Sequence, residues 1–300
     1  MKKYGGVLAA AGAYTLWGVL PVYWKLLTDV PAYEILSHRM VWSFLLTLGA
    51  IIFLGRKDAF LRAAGERKNL ITFSTTSLLL AVNWLLYIWA VNAGYIVEAS
   101  LGYFINPLIN VVFGMIFFRE RMRTLQWAAI FFAVLGVLYL TFYYGQFPWI
   151  ALVLAITFAI YGLLHKKNPL GPLDGLCLET AVFFIPTVIL LFFLEYRHGG
   201  SFGHIGMSGS LLLAGAGIIT TVPLLLFGHA AHKIPLSTLG LLQYLAPSIN
   251  LVVGVFVYGE DFSRQRMVGF LLIWVGLVLF VAENLLCHLR SQRRALVEKE

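Results

Sequence analysis

Long apolar runs recur along the chain, separated by short polar breaks. A helix that crosses a bilayer needs about 20 apolar residues at 1.5 Å rise each. Runs that meet this length fall at 4–25, 34–55, 70–92, 97–118, 125–143, 147–165, 175–196, 209–231, 236–258 and 266–288. The connections between them are short, so sequential helices pack antiparallel, and no stretch is rich enough in Pro, Gly and Ser to be a domain linker. The pattern predicts an all-α integral membrane protein with ten transmembrane helices.

Composition agrees. Hydrophobic residues make up 60% of the chain and charged residues 12%, against about 25% charged in ordinary soluble domains. A water-soluble fold has no way to cover so much apolar surface, so lipid must act as solvent for much of it. The formal charge of +8 raises a nucleic-acid partner, but the positions of the basic residues remove it. Lys2 and Lys3, the basic residues of 56–68 and 119–123, Lys166, Lys167, Lys233 and those of 290–299 all fall on one side of the predicted spans. The other side holds Lys25, Arg197, Arg264 and Arg266, and Arg39 alone lies inside a span. Basic loops stay in the cytoplasm, so both termini are expected there, in a multi-pass protein of the bacterial inner (plasma) membrane. No cleavable signal is expected, because the run after Lys3 is long enough to span. Cys177 and Cys287 form no motif and read as inert core thiols.

The chain also repeats itself. Leu101–Leu140 aligns without a gap on Leu241–Phe280 at an offset of 140, pairing Pro107 with Pro247, Asn110 with Asn250, Gly114 with Gly254, Glu120 with Glu260 and Gly136 with Gly276. Five helices per copy is an odd number, so the second copy must be inverted. The expected organisation is a first five-helix repeat over 1–145, a second over 146–288 and a basic cytoplasmic tail over 289–300. Inverted repeats are typical of secondary transporters, whose substrate site lies near the midplane between the halves.

Few residues in the spans can carry chemistry. Arg39 sits about one and a half turns below the outer boundary. It either snorkels to the headgroups or faces a cavity, pairing with Glu34 or binding an anionic solute group. Glu34 and His38 stand one turn apart on the same face. Glu179, which aligns with Arg39 at the offset of 140, is either half of a structural pair or a proton-coupling carboxylate. Pro107 and Pro247 each free a backbone carbonyl and are hinge candidates. Trp17, Asn83, Trp84, Tyr87, Tyr103, Asn106, Gln243 and Tyr244 add polar and aromatic surface that matters if it shares one cavity. His229 with His232, and Glu195 with His198, have half the spacing of a metal site without a third ligand, so no metal is expected. With no phosphate-binding loop, dinucleotide fingerprint or nucleophile elbow, neither a cofactor nor catalytic residues are expected.

These residues resemble the RarD group of the EamA branch of the drug/metabolite transporter superfamily over nearly the whole chain. The stretches that carry the resemblance are Leu16 to Gly18, Glu34 to Arg39 with Trp42 to Phe44, Asn83 and Trp84, and Trp89 to Asn92. Glu98 to Pro107 with Asn110, Thr220 to Pro223, Ser237 to Gly240, Gln243, Tyr244 and Pro247 complete it. One departure is Arg266 at the position aligned with Gln126, at a helix start. The resemblance implies ten helices in two inverted five-helix repeats, with a central cavity lined by the first four helices of each half. The expected function is a permease, an exporter or facilitator of small organic metabolites or drugs by alternating access. Its expected partners are the lipid bilayer and a small-molecule substrate, of open class, carrying a carboxylate or other anionic group. A membrane-embedded enzyme is the alternative, as is a non-transporting structural membrane protein; scattered acids and histidines speak against the first and the repeat against the second. Substrate, coupling ion, direction, conformational state and oligomeric state are left open by these residues.

Overall fold

The computed structural model describes residues 2–92, 95–145, 147–259 and 263–297. The side chains of Asn92, Glu98, His198, Arg266, Cys287 and the 289–297 segment fall outside that description, as does Glu260 altogether. Among the described residues the chain is all helical: α1 Lys2–Trp24, α2 Ala32–Phe53, α3 Lys57–Gly65, α4 Arg67–Asn92, α5 Ile96–Phe118, α6 Thr124–Tyr144, α7 Trp149–Lys167, α8 Pro172–His198, α9 Gly206–Lys233, α10 Leu236–Leu242, α11 Leu245–Val252 and α12 Arg264–Val297.

Nine segments among the described residues are long and apolar enough to cross a bilayer, one of them the combined stretch Leu236–Val257, and Met267–Glu283 is a shorter apolar helix within α12. Two features depart from the sequence reading. The amphipathic α3 is additional, too short and too charged to show as a span. The ninth predicted span is not continuous: it breaks at Gln243 and Tyr244 between α10 and α11 and ends in a π-helical turn, Val253–Val257. Pro247 explains the break. It has no N–H to give the Gln243 carbonyl four residues back, and Ala246 N takes that oxygen instead at 3.1 Å, in a tighter turn. In α5, which carries Pro107 at the matching place, the helix continues through.

Helix ends follow local chemistry. Pro31, Pro148 and Pro235 stand just before α2, α7 and α10, and Pro172 opens α8, as expected for residues that cannot continue a helix backwards. Arg119 ends α5 in the left-handed region (φ 53°), the one non-glycine with positive φ among the described residues. That turn aims the carboxylate of the next residue, Glu120, across to the start of α10.

Contacts between remote segments sort the helix ends into two groups. At one end, Arg56 pairs with Asp174 at 2.6 Å, Arg123 approaches Glu283 at 3.7 Å and Lys166 donates to the Ala231 and Ile234 carbonyls. This is the basic end. At the far end, Lys25 lies over the Tyr258 ring at 3.4 Å and Ser201 donates to Glu34. Helix neighbours come from opposite halves of the chain: α1 packs on α9 and α11, α7 on α4 and α5, α2 on α8 and α9, α5 on α10, and α6 on α12.

The α6–α12 contact is reciprocal. A Cβ on Gly136 would lie 2.8 Å from the Gly269 carbonyl oxygen and 3.3 Å from Ile273 N. One on Gly276 would lie 2.6 Å from the Ala129 oxygen and 3.3 Å from Ala133 N. Each residue on one side corresponds to its opposite number at the offset of 140. Small residues allow this approach, which in lipid replaces hydrophobic driving force with van der Waals contact.

Candidate functional site: a central cavity with one arginine

A cavity of about 190 Å³ opens between α1, α2, α4, α5, α7, α9 and the broken α10–α11 segment. Of the candidates read from sequence, Trp17, Arg39, Asn83, Trp84, Tyr87, Tyr103, Asn106, Gln243 and Pro247 line it. Both halves of the chain contribute, and the wall contains the offset-140 pairs Tyr14/Leu154, Trp84/Leu224, Tyr103/Gln243 and Asn106/Ala246.

Arg39 is the one charged side chain on this wall among the described residues. Its Nε donates to Thr220 Oγ1 at 2.9 Å, and its guanidinium carbon lies 4.3 Å from the Trp84 ring centre and 5.0 Å from that of Trp24. Such cation–π contacts are worth about 0.5–1 kcal/mol when exposed and about 2 when desolvated. Among the described residues no carboxylate is within ion-pairing distance, so the planar fork keeps donors for a solute.

The amides around it are fixed by the scaffold. Asn83 Nδ2 donates to the Leu154 carbonyl and Thr157 Oγ1, both at 2.8 Å. Asn106 Nδ2 donates to the Ala155 carbonyl at 2.5 Å, and Asn110 Nδ2 to Asn106 Oδ1 at 2.9 Å and Gln243 Oε1 at 3.3 Å. This chain ties α7 to α5 and α5 to the break in the ninth span. The Tyr14 hydroxyl and Asn250 Oδ1 line the cavity without a partner among the described residues; buried polar atoms of this kind are satisfied by water or a solute.

The cavity is closed toward the basic end. Tyr87 and Tyr103 are exposed, whereas Tyr14 is fully buried and packs with Trp17 and Phe227. Below it Ala9, Ala10, Ala13, Tyr161, Leu236 and Leu239 form a tight core. Glu120 fastens that closure. Its carboxylate accepts from Leu236 N at 2.7 Å, Ser237 N at 3.0 Å and Ser237 Oγ at 2.5 Å, binding the first turn of α10 to the end of α5.

Five candidates lie elsewhere. Glu34 does not pair with Arg39; it accepts from Ser201 N at 2.6 Å and Ser201 Oγ at 2.9 Å, and so holds the loop between α8 and α9. His38, 4.0 Å from Glu34, stacks on Phe202 of that loop. Tyr244 is buried beside the cavity and donates to the Phe104 carbonyl at 3.0 Å, a contact between offset-140 counterparts. Pro107 packs behind the wall, where a Cβ on Gly240 would lie 2.8 Å from its carbonyl oxygen. Glu179, the coupling candidate, is buried against His165, with Oε1 2.7 Å from Nε2. His165 escaped the sequence reading because its partner stands on another helix and no local motif joins them. Among the described residues no three His, Cys, Asp or Glu side chains gather to hold a metal ion.

An all-helical bundle of apolar spans around a mainly apolar cavity that holds one arginine fits a multi-pass membrane protein of the transporter class. The model of the EamA-like transporter family matches residues 4–142 and again 148–282. RarD of Streptomyces exfoliatus is 42% identical, covering 96% of this chain and 92% of its own, and RarD of Escherichia coli K12 is also 42% identical, covering 96% and 97%. The uncharacterized transporter YojE of Bacillus subtilis is 42% identical over 92% of this chain and 93% of its own. A crystal structure of a protein 19% identical superposes with a TM-score of 0.69 over 91% of this chain and 96% of that one, which shows a shared fold. The chain belongs to the RarD group of the EamA family, in the drug/metabolite transporter superfamily. The names of these relatives point to a transporter rather than an enzyme.

Proposed function

We propose that the protein is a secondary transporter, a permease acting as exporter or facilitator. In this reading it moves small organic metabolites or drugs that carry an anionic group across the bacterial inner membrane by alternating access. The observation that carries the reading is the cavity, walled by both halves of the chain with Arg39 as its single described charge. The reciprocal α6–α12 contact, the Tyr244–Phe104 bond and the paired cavity positions support two inverted repeats over 1–145 and 146–288. Such symmetry lets one half adopt the conformation of the other, which moves the opening from one face to the other. In this reading Met267–Glu283 is the tenth span, the basic end with both termini and the 289–300 tail is cytoplasmic, and the structure faces outward.

Metabolite profiles of cells that overproduce or lack the protein, followed by flux into liposomes, test the proposal. Solutes enriched outside overproducing cells should be anions, and their flux should vanish in Arg39→Gln. Identical profiles in both strains would overturn it.

A further inference from the structure

We infer that Glu179 and His165 form a proton-binding site behind the cavity wall, and that the proton it holds crosses the membrane with the anionic solute. The inference rests on the transporter reading and deepens it.

Both side chains are buried, at 2% and 4% exposure. Glu179 Oε1 meets His165 Nε2 at 2.7 Å, and the Tyr161 hydroxyl donates to Oε2 at 3.4 Å. With a neutral ring the pair carries a net negative charge, which an apolar surrounding disfavours. One added proton, shared between carboxylate and imidazole, makes the pair neutral whichever group bears it.

Among the described residues, His165 is the one basic side chain ion-paired with Glu179. On α8 itself, Asp174 is paired with Arg56 and Cys177 is buried. Facing the pair, α4 presents Phe73, Ser77 and Leu80, and α9 presents Thr220 and Leu224, none of them titratable. From α2 comes Met40. Lys166, next to His165, points to the Ala231 and Ile234 carbonyls, and His232 bonds to the Gly228 and Asn168 carbonyls.

Arg39 stands on the other face of the wall. A cavity of about 10 Å³, the size of one water, touches Glu179, Trp84 and Thr220. Trp84 and Thr220 are the residues that hold the Arg39 guanidinium from the cavity side. This small cavity contains the offset-140 pairs Met40/Thr180, Leu80/Thr220 and Trp84/Leu224, with Arg39 and Glu179, themselves such a pair, on either side. When the second half opens, Glu179 takes the place in the wall that Arg39 has now.

Linkage gives the sign. An anion on Arg39 cancels the positive charge facing the pair and so favours a proton there; a proton there favours the anion equally. Anion and proton together carry no net charge, so the membrane potential neither drives nor opposes their joint passage. Without solute, losing the proton leaves a charged pair that prefers water, which shifts the protein toward opening at the basic end as pH rises.

The test needs no solute. Leu164→Cys, the counterpart of cavity residue Trp24, is placed in a protein with Cys177→Ala and Cys287→Ser. An impermeant thiol reagent is applied from the basic side of membrane vesicles on either side of neutral pH. Because the thiolate is the reacting form, labelling is read relative to an exposed α3 reporter, Leu61→Cys, in the same background and at the same pH; that ratio should rise with pH, by up to about tenfold per unit for one linked proton. Glu179→Gln should flatten the dependence, and so should His165→Gln, the second variant should the first misfold. A ratio equal at every pH in the otherwise unmodified protein overturns the proton site and leaves alternating access standing. A dependence that survives both variants overturns it too. A reporter that is never labelled from that side removes both.

Discussion

Placing an arginine inside a span costs about 2.5–3.5 kcal/mol on insertion scales, and the two tryptophans that flank Arg39 return part of it. In the proposed reading the solute compensates what remains, and this decides what substitutions do. Arg39→Lys keeps the charge but loses the planar fork and its stacking, so it should recover only part of solute binding. Arg39→Gln should lose it while the melting temperature in detergent stays level or rises; a melting temperature that falls together with binding would make Arg39 structural. Glu34 should behave in the opposite way. Its bonds to Ser201 are charge-assisted, each worth about 1.5–3 kcal/mol, so Glu34→Gln should lower the melting temperature by several degrees and leave solute affinity unchanged. Arg39 was legible in the sequence because it is the one basic residue inside a run. The role of Glu34 was not, because Ser201 lies 167 residues away and helix spacing pointed to His38 and Arg39 as neighbours.

At the scale of elements, apolar length gave away the spans, since few other arrangements satisfy a backbone in lipid. Their interruptions were less visible. Pro107 and Pro247 have the same sequence signature, yet only the second splits its helix. α5 is laced to α7 through Asn106 and to the ninth span through Asn110, and those side-chain bonds come from tertiary packing. Pro247→Ala should restore the helical bond to the Gln243 carbonyl. Solute flux should fall while insertion and melting temperature are kept or improved. Close helix contacts give a sharper test. Gly136→Ala and Gly276→Ala each push a methyl group against backbone of the partner helix, and overpacking of this kind costs about 1–3 kcal/mol. The reciprocal geometry predicts equal losses in thermal stability for the two. Gly49→Ala, with nothing within 4 Å, should leave stability unchanged or raise it slightly. Markedly unequal losses at Gly136 and Gly276 would contradict the reciprocal packing.

For the whole molecule, the charge pattern and the repeat underlie the proposed orientation and function. Reporter fusions after Arg67 and Lys167 should read cytoplasmic and one after Gly200 external. The repeat was legible at Pro, Asn, Gly and Glu positions, where apolar composition does not create coincidences. The closure at the basic end was not, because it depends on Arg119 adopting a left-handed turn that no local preference favours. That turn delivers Glu120 to the first turn of α10, where a carboxylate also meets the positive end of the helix dipole. Two backbone donors and one hydroxyl converge on it, and removing them takes stabilisation from the state closed at the basic end alone. Even about 2 kcal/mol shifts a two-state population some thirtyfold. Glu120→Ala should therefore favour opening at the basic end. A cysteine at Ala10, which is fully buried in the closed structure, reports it: labelling by an impermeant reagent from the cytoplasmic side should rise at least severalfold over the same reporter with Glu120 intact. Ser237→Ala, which removes one of the three donors, should give a smaller rise in the same direction. Labelling unchanged in both would mean that the apolar core around Tyr14 and Phe227, not the carboxylate, holds the basic end shut.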